Sequence, residues 1–309
     1  MRVCILGSGL TALTLAKALV NQNIFVDLIS SNKNHKINHS RTIGISKSNF
    51  NYFNRNITNI EKISWKLKKI EIFTDKNKNE KILNFENSDE QLFSIIKNYQ
   101  LFEVLNKNLF KNKYFKKIKS QKKSIKPEKY NLIVNTEYNN IFTKKYFSKK
   151  IEKVYNSSAY TTVINHETIS NQIAVQIFTK IGPLAFLPLS KNKTSIVYSI
   201  YNSKHVDRKK IIHLINQHNI KYKITKIEKI ENFELKSFNL RSYYHNNILA
   251  FGDLLHRIHP LAGQGFNMTI RDINVFINII KNKIDLGLPI DSSVNYEFEK
   301  NLKHKNYIF

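Results

Sequence analysis

The spacing of apolar residues changes several times along the chain, and each change marks an element. Arg2–Leu6 is a short apolar run, and Leu13, Ala16, Leu19 and Val20 then recur at helical spacing. Residues 24–29 return to a strand pattern, so the chain opens on a β-α-β unit. Residues 65–73 (WKLKKIEIF) and 81–85 read as two strands joined by the polar turn DKNKNE. Ser88 and Gln91 form a capping-box pattern, which predicts a helix from about Asp89 to Phe110. Its packing stripe is Leu92, Ile95, Ile96, Tyr99, Leu101, Phe102 and Leu105. Residues 111–130 are lysine-rich and predict a solvated connection with a short strand, with a basic helix as the alternative. Residues 130–134 (YNLIV) are a further buried-type strand.

From residue 154 to 200 the pattern becomes a series of strands, YTTVIN, IAVQIF, LAFLPL and TSIVYSI, whose turns carry Lys-Asn or Gly-Pro. This predicts a mostly antiparallel sheet forming a second layer. Residues 206–218 are helical and 224–240 return to strand. The first domain resumes at Ile248, and no internal repeat is visible. The fold class is therefore α/β, a Rossmann-like domain with an inserted, mostly antiparallel β-sheet domain. Residues 1–55, 86–150 and 240–309 are assigned to the first domain, and 56–85 and 151–239 to the inserted one.

Composition narrows the class. The 309 residues can bury a sizeable core, and 41% hydrophobic content with 20 Phe and 15 Tyr excludes a disordered chain. No stretch reaches the ~18 apolar residues of a membrane span. The opening MRVCILGSGL has no extended apolar h-region and reads as a first strand rather than a signal peptide. The lone Cys4 rules out an internal disulfide framework, suits a reducing compartment and reads as a buried, inert thiol. The net charge of +27 is almost all lysine, with arginine limited to Arg2, Arg41, Arg55, Arg208, Arg241, Arg257 and Arg271. Lys, Asn, Ile, Phe and Tyr are the amino acids of A/T-rich codons, so a solvated basic surface is expected. Arginine forks for phosphate and base reading are scarce, which argues against specific nucleic-acid binding. Weak attraction to an acidic bilayer stays open.

Two passages carry chemistry. Gly7-Ser8-Gly9-Leu10-Thr11-Ala12 lies between the first strand and helix, as a G-x-G-x-x-A turn. In such a turn Gly7 permits the bend, Gly9 lets a pyrophosphate approach the helix N-terminus, and small Ala12 lets helix and strand pack. The carboxylate expected at the end of the second strand to hold a ribose is absent. Asp27 comes too early and points away, and Ser30 stands in its place with a weaker single bond. The lack of that acid leaves a 2′-phosphate site conceivable, but no arginine follows closely enough to support one. Arg41, in the extended segment 40–46, is either a surface charge or an anion contact.

The second passage is ILAFGDLLHRIHPLAGQGFNMTIRD, residues 248–272. The chain holds 8 Gly, well below the usual ~7%, and Gly252, Gly263 and Gly265 all fall here. Such a cluster suggests positive φ or close approach to a ligand, at a loop leading into a helix predicted from about Asn267. Asp253 is either a ligand contact or a turn cap. His256 and His259 could hold the loop by hydrogen bonds, act as a base, or pair on a metal. No Cys, His or acidic cluster lies beside them in sequence, so no metal site is assigned.

Taken in order, GSGLTA, SRTIGIS, GPLAFLPL and FGDLLHRIHPLAGQGFN resemble the FAD-dependent aromatic hydroxylases of the para-hydroxybenzoate hydroxylase fold. Within these the chain is most similar to the ubiquinone-biosynthesis hydroxylases. The resemblance covers essentially the whole chain, and residues 252–267 are its most specific part. It implies bound FAD, reduction by NAD(P)H or another donor, and hydroxylation of a polyprenylated phenol. It also implies a location that is cytoplasmic or peripheral on the inner membrane, with a membrane or biosynthetic-complex association. By this resemblance Gly7, Gly9 and Ala12 take the FAD pyrophosphate turn, and Ser30 stands at the ribose position. Arg41 matches the arginine near FAD, and Gly252-Asp253 the motif that binds the ribityl chain. His256, His259 and Pro260 match the H-x-x-H-P loop. Gly263, Gln264, Gly265 and Asn267 match the loop and helix start beside the isoalloxazine, placing His259, Pro260 and Gln264 near the ring.

Departures from the family pattern are substantial. Where A-D-G-x-x-S-x-x-R is expected after Val134, the chain has Asn135-Thr136-Glu137, then Asn140 and Thr143. Glu137 puts bulk and negative charge where the family has glycine near phosphates. Tyr99 stands where the long helix usually carries arginine, and the family continues with further helix past Phe309. A non-catalytic partner that keeps the flavoprotein fold is the alternative these departures leave open.

Overall fold

The computed structural model describes residues 1–30, 40–75, 80–86, 91–119, 125–201, 206–257 and 264–307. The chain begins with β1 (Arg2–Leu6), α1 (Leu10–Val20) and β2 (Phe25–Ser30), followed by β3 (Thr42–Ser46) and α2 (Lys47–Asn56). Next come β4 (Ser64–Leu67), β5 (Lys69–Thr74), β6 (Glu80–Glu86), β7 (Phe93–Lys97), α3 (Asn98–Phe110) and β8 (Phe115–Lys119). The middle holds β9 (Leu132–Asn135), α4 (Ile141–Tyr146), β10 (Lys150–His166), β11 (Ile173–Thr179), β12 (Gly182–Ser190) and β13 (Lys193–Ile200). Then follow α5 (Arg208–Gln217), β14 (Ile224–Ile227), β15 (Glu231–Leu240), β16 (Tyr244–His245) and β17 (Ile248–Ala250). The last elements are β18 (His256–Arg257), α6 (Gln264–Asp285) and α7 (Ser292–Tyr307).

The first sheet has the order β16-β17-β9-β1-β2-β8. All its strands run parallel except β16, which forms a hairpin with β17. Its central strands are continuous apolar runs, with Val3, Cys4, Ile5, Leu132, Ile133 and Val134 all inaccessible to solvent. That is the pattern of strands covered on both faces. Burial also raises the Cys4 thiol far above its ordinary range, so the thiol is protonated and inert, as expected from its apolar neighbours. In register, Leu6 lies beside Ile29 on one side and Asn135 on the other. The C-terminal ends of β1, β2 and β9 therefore meet at one edge, where open α/β sheets hold their ligands. Helix α1 packs on α3 and α6, and α6 on α7. Phe251, Phe276 and Phe298 stack at the centre with ring centroids 5.4–5.8 Å apart.

The second sheet has the order β18-β15-β10-β13-β12-β11-β5-β6, with β14 also paired to β10. It is antiparallel apart from the β5–β11 pair. Strand alternation gives it two different faces. Tyr160, Leu184, Phe186, Ile196 and Tyr198 pack with Ile211 and Ile215 of α5. Ala159, Thr161, Val163, Ala185, Leu187, Ser195 and Val197 occupy the opposite face. A small sheet, β3-β7-β4, sets β3 against α6 and β4 and β7 against β12.

Two expectations are corrected. The helix predicted from about Asp89 is strand β7 followed by α3, which begins only at Asn98. Ile95 packs with Leu67 and Ala174 while Ile96 joins the main core, so β7 is buried on both faces. Such a strand reads as a continuous apolar run that periodicity cannot tell from a helix. Ser88 of the capping box lies outside the described residues. Residues 65–73 are likewise not one strand. They divide at Lys68, whose N–H donates to Gln172 O at 3.1 Å, and β4 and β5 enter different sheets. Elsewhere the expected elements are present, including the short strand β8 within the lysine-rich stretch. No helix among the described residues is long and apolar enough to cross a membrane.

Truncation of Phe276 removes the ring that contacts both Phe251 and Phe298. Phe276→Ala is expected to cost about 3–5 kcal/mol in urea unfolding. A midpoint unchanged from the parent would show that this trio does not carry the core.

Candidate cofactor site

The turn after β1 contains two glycines with different causes. Gly7 has φ +127°, and a Cβ built there would lie 2.1 Å from Thr136 Oγ1. Its N–H donates to Ile29 O at 2.9 Å, so the chain itself requires glycine at this position. Gly9 is different. It caps α1 with extended backbone (φ −77°, ψ 179°), which any residue adopts, and no described atom lies within 4 Å of a Cβ built on it. No side chain caps the helix there. The space left by Gly9 opens at a helix N-terminus, with its unpaired N–H groups and roughly +0.5 charge. That is a cradle for an anion. Ala12 is fully buried between helix and sheet, and Ser30 donates to Ser8 Oγ at 3.0 Å from the end of β2.

The second glycine passage folds onto the first. Phe251 N–H donates to Asn135 O at 2.9 Å, fixing the end of β17 beside β9. Gly252 has φ +63°, and a Cβ there would lie 2.4 Å from Thr11 Cγ2. The Gly252-Asp253 turn thus sits on the first turn of α1, beside the cradle. Asp253 keeps its side chain exposed, while its backbone carbonyl accepts from the Tyr138 hydroxyl.

At the start of α6, Gly265 resembles Gly9, since no described atom lies within 4 Å of a Cβ built on it. Glycine inside a helix costs roughly 1 kcal/mol against alanine. Nothing described in the chain explains that cost. Asn267 fastens this helix end to segment 40–46. Its Nδ2 donates to Gly44 O at 2.8 Å, and its Oδ1 accepts from Ser46 N at 3.0 Å and Asn49 Nδ2 at 2.9 Å. The same segment reaches the second sheet. Ser40 Oγ bonds Glu231 Oε2 at 3.0 Å, Thr42 Oγ1 meets Ser195 Oγ at 3.0 Å, and the Arg41 guanidinium stacks 4.9 Å over the Phe233 ring.

His256 is buried, with Nε2 2.5 Å from Asp272 Oδ2. Arg271 donates to the other oxygen of Asp272 at 2.7 and 3.0 Å, and also bonds Asn306, which donates to Tyr243 OH. This network ties the loop after Asp253 to α6 and α7. It gives His256 a structural partner on α6. Among the described residues no group of three or more His, Cys, Asp or Glu is placed to hold a metal. Residues His259, Pro260 and Gly263 lie outside the described residues, and of Gln264 only the backbone, opening α6, is described.

The residues that replace the family's second motif form a set of their own. Asn135 Nδ2 donates to Thr143 Oγ1 at 2.8 Å, while its Oδ1 accepts from Asn140 Nδ2 at 2.6 Å and Glu137 N at 3.1 Å. Asn140 caps α4 by accepting from Thr143 N at 2.9 Å, and Thr143 Oγ1 donates to Glu137 O at 2.6 Å. Thr136 Oγ1 donates to Leu6 O at 2.8 Å. In place of the expected Asp, Gly, Ser and Arg stands a loop closed by its own hydrogen bonds. Glu137 lies within 3.4 Å of the Cβ position at Gly7, so a carboxylate-bearing residue borders the turn.

Sequence reasoning named Gly7, Gly9, Ser30, Gly252, Asp253 and Gly265 but missed Tyr138 and Asp272. Asp272 had a signal. It is an acid flanked by Ile270, Ile273 and Phe276 on the apolar face of α6, where helical spacing asks for a hydrophobe. Tyr138 had none, since only the fold brings it to Asp253.

Residues 150–282 match the FAD binding domain family profile. The ubiquinone biosynthesis monooxygenase COQ6 of Caenorhabditis elegans is 26% identical over 187 residues, 45% of this chain and 40% of that protein. The 3-demethoxyubiquinol 3-hydroxylase of Escherichia coli K12 is 32% identical over 122 residues, 36% of this chain and 30% of the enzyme. These matches thus cover less than half the length of the curated relatives. Among solved structures, PqsL, a probable FAD-dependent monooxygenase from Pseudomonas aeruginosa, superposes with a TM-score of 0.78 at 12% identity, over 100% of this chain and 93% of that one. The tetrameric form of 2-methyl-3-hydroxypyridine-5-carboxylic acid oxygenase gives 0.77 at 13% identity, over 99% and 87%. The fold is that of the FAD-dependent monooxygenases, a Rossmann-like domain carrying a second sheet. In sequence, the chain resembles the ubiquinone-biosynthesis hydroxylases, and the FAD binding profile covers β10–β15 of the second sheet and the second glycine passage.

The residues present fit that cofactor. Gly9 leaves space at the α1 N-terminus that no described residue fills, and Gly252-Asp253 packs beside it. Gly9→Ala, a change at the cap of α1, is expected to cost no more than about 1 kcal/mol in urea unfolding while weakening FAD binding at least tenfold by fluorescence titration. Gly7→Ala, strained at positive φ and clashing with Thr136, is expected to destabilise by about 1–3 kcal/mol. Equal stability loss in both variants would remove the distinction. Asp272→Ala leaves His256 and Arg271 without their shared acceptor, and breaking a buried pair costs about 3–5 kcal/mol. A midpoint shift under about 1 kcal/mol would show the network to be dispensable.

Proposed function

We propose that this chain is an FAD-dependent monooxygenase that hydroxylates the aromatic ring of a polyprenylated phenol in ubiquinone biosynthesis. The observation that carries the reading is the meeting of the Gly7–Gly9 turn with Gly252-Asp253 through Thr11. It provides a pyrophosphate cradle and an exposed carboxylate side by side. FAD supplies the oxygen chemistry when bound, after reduction by NAD(P)H or another donor, and the protein's part is to position it and exclude water. The α1 N-terminus holds negative phosphate charge, and the α6 N-terminus favours electron density on the ring system. Asp253 is assigned to the ribityl hydroxyls, and Asn267 holds the α6 end against segment 40–46 beside the assigned ring position.

The substrate is assigned to the sheet face bearing Ala185, Leu187, Ser195 and Val197, which Thr42 joins to segment 40–46. This face is apolar with a few hydroxyls, as suits a phenol with a hydrocarbon tail. The sequence likeness to ubiquinone hydroxylases supports that choice. A second reading has its own support. Asn135, Asn140 and Thr143 close their loop on themselves, the arrangement expected of a non-catalytic chain that keeps the fold within a biosynthetic complex.

Flavin content and turnover together separate the two. Purified protein is expected to be yellow, to release FAD on denaturation, and to hydroxylate a ubiquinone precursor only with a reduced donor. Asp253→Ala is expected to lower that activity by at least tenfold. A colourless protein that cannot be reconstituted with FAD overturns the enzymatic reading, and bound FAD without turnover of any prenylated phenol favours the second one.

A further inference from the structure

Between Glu103 and Glu128 the sequence carries nine lysines, at 107, 111, 113, 116, 117, 119, 122, 123 and 126, and no acidic residue. The fold places the first part of this run at one end of the first sheet. Strand β8 is the last strand in that sheet's order, and Phe115 at its start pairs with Val26 of β2. Phe110 ends α3 directly above it. Lys107, Lys111, Lys113, Lys116 and Lys117 are all exposed.

Aromatic rings fill the space between these lysines. Phe110 is 62% and Phe25 44% exposed, unusual for phenylalanine. Phe25 meets Tyr114 edge-on at 5.0 Å, and Phe110 meets Phe115 edge-on at 6.1 Å. Lys113 lies 5.2 Å over Tyr114, Lys117 5.6 Å over Phe110, and Arg2 5.8 Å over Phe25. The nearby Asp27 is buried and bonded to Arg2 and Tyr130, so its charge is turned inward. Phe25 and Phe115 begin β2 and β8, whereas Ser8, Gly9 and Ser30 lie at the other end of the parallel strands. A strand of about six residues separates the two ends by roughly 20 Å.

We propose that this β8 edge is a docking surface for an anionic lipid bilayer, with Phe25 and Phe110 entering the headgroup boundary and the lysines meeting acidic headgroups. Charge complementarity selects the occupant. Each lysine near an acidic leaflet adds to binding, and exposed aromatics anchor at its interface. A nucleic-acid surface favours arginine forks and flat stacking platforms, whereas these rings pack edge to face and the cations are lysines. A second copy of the chain would bring two like-charged patches together. The surface stands apart from the proposed activity and holds equally for a non-catalytic chain.

The test is flotation of the full chain with vesicles of phosphatidylcholine alone or with about 30% phosphatidylglycerol, an acidic lipid that gives the surface a negative potential. Binding is expected to the acidic vesicles only. Replacing Lys111, Lys113, Lys116 and Lys117 by Glu is expected to weaken it at least about a hundredfold, and Phe110→Ser about tenfold. Replacing the same lysines by Gln, a milder change for the edge strand, is expected to weaken it at least tenfold, with an unchanged urea midpoint confirming the fold. The control replaces the exposed Lys209, Lys210, Lys226 and Lys229 of the second sheet's domain by Glu and is expected to keep most of the binding. Equal loss in control and patch variants would show that net charge alone attracts the chain and overturns the proposal. So would patch-dependent binding of an RNA or DNA oligonucleotide that displaces the protein from the vesicles at stoichiometric concentration.

Discussion

The contact between Gly252 and Thr11 decides how the two halves of the cofactor site meet. A side chain at Gly252 would strike the threonine methyl at 2.4 Å, and the positive φ of the turn excludes most residues in any case. Because both constraints are met, a segment near residue 250 packs on the first turn of the first helix. Much else follows from that approach. The end of β17 aligns with β9 through Phe251 and Asn135, and His256 lies within reach of Asp272. α6 then starts beside β3, where Asn267 can join Gly44 and Ser46.

Around that contact the chain separates requirements of the fold from requirements of a ligand. Gly7 and Gly252 are needed because each has a positive φ and a Cβ would collide with Thr136 or Thr11. Gly9 and Gly265 meet no such obstacle. At the α1 N-terminus, where a Cβ at Gly9 would meet open space, no described residue fills the gap. An anionic cofactor is the occupant that the electrostatics of that terminus favour. The loop 135–143 shows the opposite behaviour. Asn135, Asn140 and Thr143 bond one another, while Glu137 borders the Gly7 turn and the Tyr138 hydroxyl reaches the Asp253 carbonyl.

Much of this was legible without coordinates. The β-α-β start, the inserted antiparallel strands, the return at Ile248 and the two glycine passages each carry a local signal in period or composition. Strand β7 was misread because burial on both faces erases the alternation that marks a strand. The break at Lys68 was missed because nothing local says that neighbouring residues join different sheets. The self-bonded role of Asn135, Asn140 and Thr143 was likewise beyond a sequence reading, which registers only that expected residues are missing.

By itself the sequence determined most element types, the scarcity and placement of glycine, and the concentration of lysine between residues 104 and 126. These are local properties of period, size and charge. Tertiary structure alone decided which glycines the fold requires, that Asp272 partners His256, and that Phe25 joins Phe110 and Phe115 at one end of the sheet. Those outcomes depend on contacts between residues 16 to 241 positions apart, down to the collision that a single Cβ at Gly252 would make. No local pattern encodes such distances, because they exist only once the parallel strands have set their register.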